Sequence, residues 1–220
     1  MKITLIDAGK RFNRDWIFRH LDYEFSTGHS YAITGPNGSG KSTLLQSVAG
    51  AIGISQGRIE YRNTTPGKPA GKASSGATLF DDIPSDQAFR YLSLAAPYLQ
   101  PIEEMTVTEF LHFHAAFKPL LPGSSINGII RTVGLEAAAH KQIRYYSSGM
   151  KQRVRLAQAL FSDTPVILLD EPCTNLDSDG IELYQQLIRE YAAGRLVIVS
   201  SNDLQEYEFC EERINIMGYK

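Results

Sequence analysis

Nine residues, Gly35-Pro-Asn-Gly-Ser-Gly-Lys-Ser-Thr43, stand between an apolar segment at 30–34 and the helically spaced Leu44, Leu45 and Val48. Few folds can be built around such a run. Glycine reaches backbone conformations that other residues avoid, so the segment can curl tightly and turn its N–H groups onto one point. The helix that follows adds unpaired amides and the positive end of its dipole at the same point. A multiply charged anion such as a triphosphate suits that cradle, and the run fits G-x-x-x-x-G-K-[ST] between a strand and a helix. Gly35, Pro36, Asn37, Gly38, Ser39, Gly40, Lys41, Ser42 and Thr43 are therefore expected to bind the nucleotide. Lys41 would reach the β/γ-phosphates and the Ser42 hydroxyl would ligate Mg²⁺. The competing reading is a chance glycine loop before a helix.

Val166-Ile-Leu-Leu-Asp170-Glu171 supplies what a triphosphate site still needs. A buried apolar strand ending in a carboxylate would set Asp170 at the sheet edge beside the glycine loop, where it could hold magnesium through water. Glu171 could act as general base on the attacking water. A strand ending in Asp-Glu is common by itself, and a helix-capping or solvated carboxylate is the alternative for Glu171.

The rest of the chain fits an α/β protein. Segments 3–6, 30–34, 58–62, 166–170 and 196–200 are expected as strands, and 64–77, rich in Pro, Gly, Ser and Lys, as an exposed loop. Val107, Phe110, Leu111, His114 and Phe117 share one helical face. Ile126, Ile129, Ile130 and Val133 form another, with Ser124 or Ser125 as cap and Gly134 as stop. Further helices are expected over 149–161 and around Ile181, Tyr184, Leu187 and Ile188. Strands alternating with helices imply a mostly parallel sheet with covered faces and an all-helical middle inserted into it.

Composition narrows the function. The chain has 220 residues with 22 basic and 24 acidic side chains, a formal charge of −2 and no basic stripe, so no nucleic acid is expected as a partner. Its two cysteines, Cys173 and Cys210, form no disulfide framework, which makes a reducing compartment the default. No apolar run approaches the ~20 residues that cross a bilayer, and the N-terminus carries charges where a signal peptide needs apolar residues. A soluble protein is expected, linked to a membrane only through a partner. His112 and His114, two apart on a helix, make a poor metal pair. Cys173 is read as a small buried residue, with redox sensing as the weaker reading.

Between the two phosphate motifs lies Tyr146-Ser-Ser-Gly-Met-Lys-Gln-Arg153, and after them Thr174-Asn-Leu-Asp177. These resemble the signature motif and D-loop of ATP-binding-cassette (ABC) ATPases, and the order of motifs spans nearly the whole chain. The resemblance implies a P-loop NTPase core, α/β with a mostly parallel sheet, a small antiparallel β portion and an inserted helical subdomain. The chain would be one domain, 1–220, with core segments 1–100 and 161–220 and a helical part at 101–160. It implies ATP and Mg²⁺ as ligands. Two cassettes would pair head to tail, Ser147, Ser148, Gly149 and Met150 of one reaching the ATP on the other, with Asp177 in the D-loop. Ser148 and Met150 stand where Gly and Gln are commoner.

The same resemblance places Phe12 where an aromatic stacks on adenine, with Trp16 as competitor and core packing as the alternative for either. Two positions depart from the family pattern. The switch histidine is replaced in Ser201-Asn202-Asp203, and no glutamine stands near Ala96 or Pro97; Gln100 comes too late and Gln87 before the strand. Asn202 can donate a hydrogen bond but cannot become a cation, so binding should survive and turnover be slower or differently tuned. The implied function is an ATP-hydrolysing subunit, homodimeric or paired with a related cassette, that powers a separate transmembrane permease subunit from the cytoplasmic face. A non-transport ABC-type ATPase and a low-turnover regulatory module are the alternatives.

Overall fold

The computed structural model describes residues 1–64 and 80–220. The 64–77 stretch expected as a loop lies outside them, apart from the backbone of Thr64.

Five short strands, β3 (Ser30–Thr34), β6 (Leu92–Ala95), β7 (Val166–Asp170), β8 (Leu196–Ser200) and β9 (Glu212–Asn215), build one parallel sheet in the order β6-β7-β8-β3-β9. All five residues of β7 and all five of β8 are buried, as continuous apolar strands covered on both faces must be. Their side chains alternate between two cores. Ile167, Leu169, Val197 and Val199 face the cluster with α2 (Val107–Phe117), α3 (Ile126–Thr132), α4 (Ser148–Leu160) and α5 (Ser178–Tyr191). Val166, Leu168, Leu196 and Ile198 face the cluster with α1 (Lys41–Val48) and the N-terminal strands. The sheet is thus the wall between two hydrophobic cores, and its carboxyl-terminal edge is where the loops with chemistry emerge.

The helices start where their caps dictate. Thr106 and Glu109 form a reciprocal capping box on α2, and Ser125 caps α3 through the amide of Gly128. Phe117 does not share the buried face of α2. It is the last residue of α2, 73% exposed, and packs edge-on against Phe113 instead.

A second sheet, β2-β1-β4-β5, is antiparallel: β1 (Lys2–Phe12), β2 (Asp15–Ser26), β4 (Gln56–Thr64) and β5 (Phe80–Ile83). β1 runs to Phe12, well past the expected residue 6. β2 is hidden from periodicity because its buried residues, Phe18, Leu21 and Phe25, are three and four apart, a helical spacing. Register shifts in the β1–β2 ladder between Leu5 and Lys10 explain it: the added twist re-aims successive side chains. Asp7 and His20, at φ 47° and 52°, mark the irregularity, and their side chains meet at 2.7 Å.

Gly57 locks this bulge from the other side. Its φ is +71°, and a Cβ there would lie 2.2 Å from the Asp7 carbonyl oxygen and 2.3 Å from that of Ile6. Gly57→Ala is expected to lower the unfolding free energy by about 2 kcal/mol or more. Urea denaturation checks this, and a midpoint equal to wild type would contradict the packing described.

Candidate phosphate site and its separated half

The glycine loop leaves β3 and closes onto α1. Gly40, at φ +101°, approaches β2 so nearly that a Cβ would lie 2.2 Å from Ile17 Cγ2, which is why only glycine fits between strand and loop. Lys41 is 4% exposed, and its ammonium donates back to the carbonyl oxygens of Gly35 at 2.9 Å and Pro36 at 3.2 Å. The cation therefore spans the loop it belongs to. Lys220 braces the loop from outside, donating to the Ser39 carbonyl at 2.6 Å and that of Ile17 at 2.9 Å.

Ser42 lies in the first turn of α1 and Asp170 ends β7, and the Ser42 hydroxyl donates to Asp170 Oδ1 at 3.0 Å. Asp170 is 2% exposed. Burial raises its pKa, and the Ser42 hydrogen bond opposes the rise. Among the described residues no group of three or more His, Cys, Asp or Glu could hold a metal. Two hard oxygen atoms side by side nevertheless fit Mg²⁺, which takes one or two protein oxygens and completes its shell with phosphate and water.

Glu171 follows directly and adopts φ +43°, a left-handed conformation costly for a residue with a Cβ. Its amide donates to the Ser200 carbonyl at 2.9 Å, so the sheet edge holds the conformation in place. Glu171 lines a cleft of about 230 Å³ with Ile17, Asn37, Gly38 and Gly40 to Thr43, and its carboxylate accepts from the Thr174 hydroxyl at 3.4 Å. Phe12 and Asn202 are not in that lining. Phe12 is 49% exposed at the β1–β2 hairpin, with Lys10 Nζ 4.9 Å from its ring centre, while Trp16 is half-buried against Gly9. Asn202 is exposed on the turn after β8, where Ser201 is buried and its amide donates to Ile33.

The signature residues sit elsewhere. Ser147 caps the thirteen-residue α4, accepting from the Met150 amide at 3.2 Å, and Ser148 is exposed beside it. Gly149 passes so close to the Asn175 carbonyl that a Cβ would come within 2.9 Å of it. Ser147 to Met150, Arg153 and the 175–177 loop line a separate cavity of about 380 Å³. Asp177 caps α5 through the Gly180 amide and lies 3.8 Å from Arg153. The two cavities share no lining residue.

Several residues escaped the sequence reading. Gln152, fully buried within the signature run, donates to the Pro172 carbonyl at 2.7 Å and ties α4 to the Asp-Glu turn. Arg155 donates to Gln152 at 2.9 Å and to the Leu99 carbonyl at 2.8 Å. Glu206 in α6 (Leu204–Tyr207) is 4% exposed and accepts from the Cys173 amide at 2.7 Å. Burial pushes its pKa up to about 7, against the hydrogen bonds from Ser201 and Cys173. A glutamate in a four-residue helix carries no pattern that announces burial. Cys173 is buried with its thiol pKa pushed up, so it is not a reactive thiolate. His112 is exposed, whereas His114 hydrogen-bonds Ser162 and burial pushes its pKa down to about 4.

A glycine loop and a strand-end carboxylate joined at a parallel sheet edge define a P-loop NTPase. The sequence profile of the ABC transporter family matches residues 18–174. The cytochrome c biogenesis ATP-binding export protein CcmA of Agrobacterium fabrum is 30% identical over 216 residues, 96% of this chain and 94% of that protein. A putative ABC transporter ATP-binding protein from Pyrococcus furiosus superposes with a TM-score of 0.78 at 19% identity, over 100% of both chains. A dimeric bacterial ABC transporter cassette gives 0.74 at 23% identity, over 97% of this chain and 94% of that one. The chain belongs to the ABC transporter family and is one of its ATPases.

Glu206 gives the site a pH signature. Its folded pKa, about 7, lies above the ordinary 4.5, so its contribution to stability is full below about pH 4.5 and is lost as pH rises through about 7. Glutamine stays neutral throughout. The melting temperature of Glu206→Gln should therefore gain on wild type between pH 5 and 8 by about 3 °C or more. Parallel melting profiles across that range would refute the buried, neutral-leaning carboxyl.

Proposed function

We propose that this chain is the ATP-hydrolysing subunit of a transporter, and that two copies, or one copy and a related cassette, close around MgATP. The carrying observation is the separation of the two cavities: Lys41, Ser42 and Glu171 line one, with Asp170 hydrogen-bonded to Ser42, and Ser147 to Met150 line the other. A nucleotide held by the first meets the second only if another chain brings it. Residues 1–220 act as one cassette, with 101–160 as the part that carries the signature. Among the described residues no helix is long and apolar enough to cross a membrane, so the reading requires a separate transmembrane permease subunit, met at the cytoplasmic face. The relative named as an export protein supports transport as the purpose.

In this reading the loop amides and Lys41 hold the β/γ-phosphates, and Phe12 stacks on adenine from outside the cleft. Ser42 and Asp170 would hold magnesium, which would supply positive charge against the phosphate oxygens. Glu171 takes a proton from the water whose oxygen attacks the γ-phosphorus, while the bond to the β–γ bridging oxygen breaks. Ser147 and the Gly149 amide of the other copy donate to the γ-phosphate at a helix N-terminus. Asn202 donates one further hydrogen bond without a charge. A low-turnover regulatory role is the second reading, favoured by that uncharged switch residue.

Lys41→Ala should weaken MgATP binding at least about tenfold, roughly 1.4 kcal/mol. Calorimetry decides, and superimposable titrations of mutant and wild type would remove the phosphate-loop assignment.

A further inference from the structure

β3 and β9 are parallel neighbours in the sheet, with Thr34 opposite Asn215, so the chain leaves both strands at the same edge. From β3 it enters the phosphate loop at Gly35. From β9 it enters a 3₁₀ turn, Ile216–Tyr219, capped by Asn215, whose side chain accepts from the Met217 amide at 3.0 Å. The turn packs on the loop. Ile216 is fully buried, and a Cβ added at Gly35 or at Gly40 would lie 2.9 Å or 3.5 Å from its side chain. Lys220 follows the turn, and its ammonium donates to the Ser39 carbonyl at 2.6 Å and the Ile17 carbonyl at 2.9 Å. It thereby ties the far end of the loop to β2.

The peptide joining Ser39 to Gly40 is planar and trans, so its carbonyl and the Gly40 N–H point in opposite directions. Whatever fixes the carbonyl also aims the amide, and Gly40 lines the phosphate cleft. A cation on the carbonyl oxygen further polarises the peptide and makes its N–H a stronger donor. We propose that Lys220 is a positioning residue for the nucleotide: from outside the cleft it holds and polarises the Ser39–Gly40 peptide, so that the Gly40 amide meets phosphate oxygens in a preset direction. The Ser39 side chain does not share this task, because its hydroxyl is buried and finds no hydrogen-bond partner among the described residues. Lys41 grips only the start of the loop, at the Gly35 and Pro36 carbonyls, and phosphates compete for its ammonium. Lys220 is not in the lining of the cleft, so its grip persists when the cleft fills.

The inference rests on the nucleotide-binding reading above. Its test is calorimetric titration of MgATP into the full chain and into Lys220→Met and Lys220→Arg, at about 0.1 M and about 1 M salt. Lys220→Met keeps the length of the side chain and removes its donors. It should bind about tenfold more weakly than wild type, the scale of one charge-assisted hydrogen bond. That ratio should persist at about 1 M salt, where the Debye length falls to ~3 Å and a lysine acting only through its distant field would lose its effect. Lys220→Arg, which can still donate to both carbonyls, should bind within about twofold of wild type. Lys220 is exposed, so the nucleotide-free melting temperature of Lys220→Met should stay within about 2 °C of wild type. Wild-type affinity in Lys220→Met, a deficit that vanishes at high salt, or a Lys220→Arg chain no better than Lys220→Met overturns the assignment. A markedly lower melting temperature for Lys220→Met overturns it too, because Lys220 would then support the fold at large. Wild-type chain with no affinity for MgATP would instead sink the nucleotide reading and this inference with it.

Discussion

The Ser42 hydroxyl and the Asp170 carboxylate, 128 residues apart in sequence, meet at 3.0 Å, and the architecture converges on that contact. It joins the start of α1 to the end of β7, so both elements must end at the same height on the sheet. β7 reaches that height because every residue before Asp170 is apolar and can run between two cores. α1 reaches it because Gly40 lets the loop pass against Ile17 with no side chain between. A buried carboxylate without a partner would be costly. Here the hydroxyl satisfies it, and the same two oxygens are those a magnesium ion would take.

Around that contact, strain and burial are placed where chemistry would need them. Glu171 holds a left-handed backbone at the first residue beyond the strand, and its amide bond to Ser200 keeps it there. Behind it, Glu206 accepts from Cys173 while Gln152 donates to Pro172, so the Asp-Glu turn is fixed both by the switch-side helix α6 and by the signature helix α4. Gln152 also takes a hydrogen bond from Arg155, whose other donors reach the turn after β6. One chain of hydrogen bonds thus ties α4 to the turns that follow β6 and β7.

Legibility in the sequence depended on how each signal arises. β7 and β8 were legible to the residue because continuous apolar runs of that length have one buried solution. The phosphate loop was legible because its residues constrain backbone geometry directly. β2 was not, because a bulge converts an alternating strand into the 3-4 spacing of a helix. Phe117 was placed inward by periodicity, but a helix end has no core to bury its last turn. Glu206 and Arg155 were invisible for another reason: their significance is tertiary, and no local pattern distinguishes a glutamate under a sheet edge from one in solvent.

The central claim is that a nucleotide on one cassette is completed by the signature of another. Glu171→Gln keeps the shape of the side chain while removing the base, so a closed pair should accumulate instead of turning over. Light scattering of this variant with saturating MgATP measures the claim directly. The account predicts a shift to twice the monomer mass, reversed when Ser147 is also changed to a bulky residue. A Glu171→Gln chain that binds MgATP and stays monomeric would contradict it.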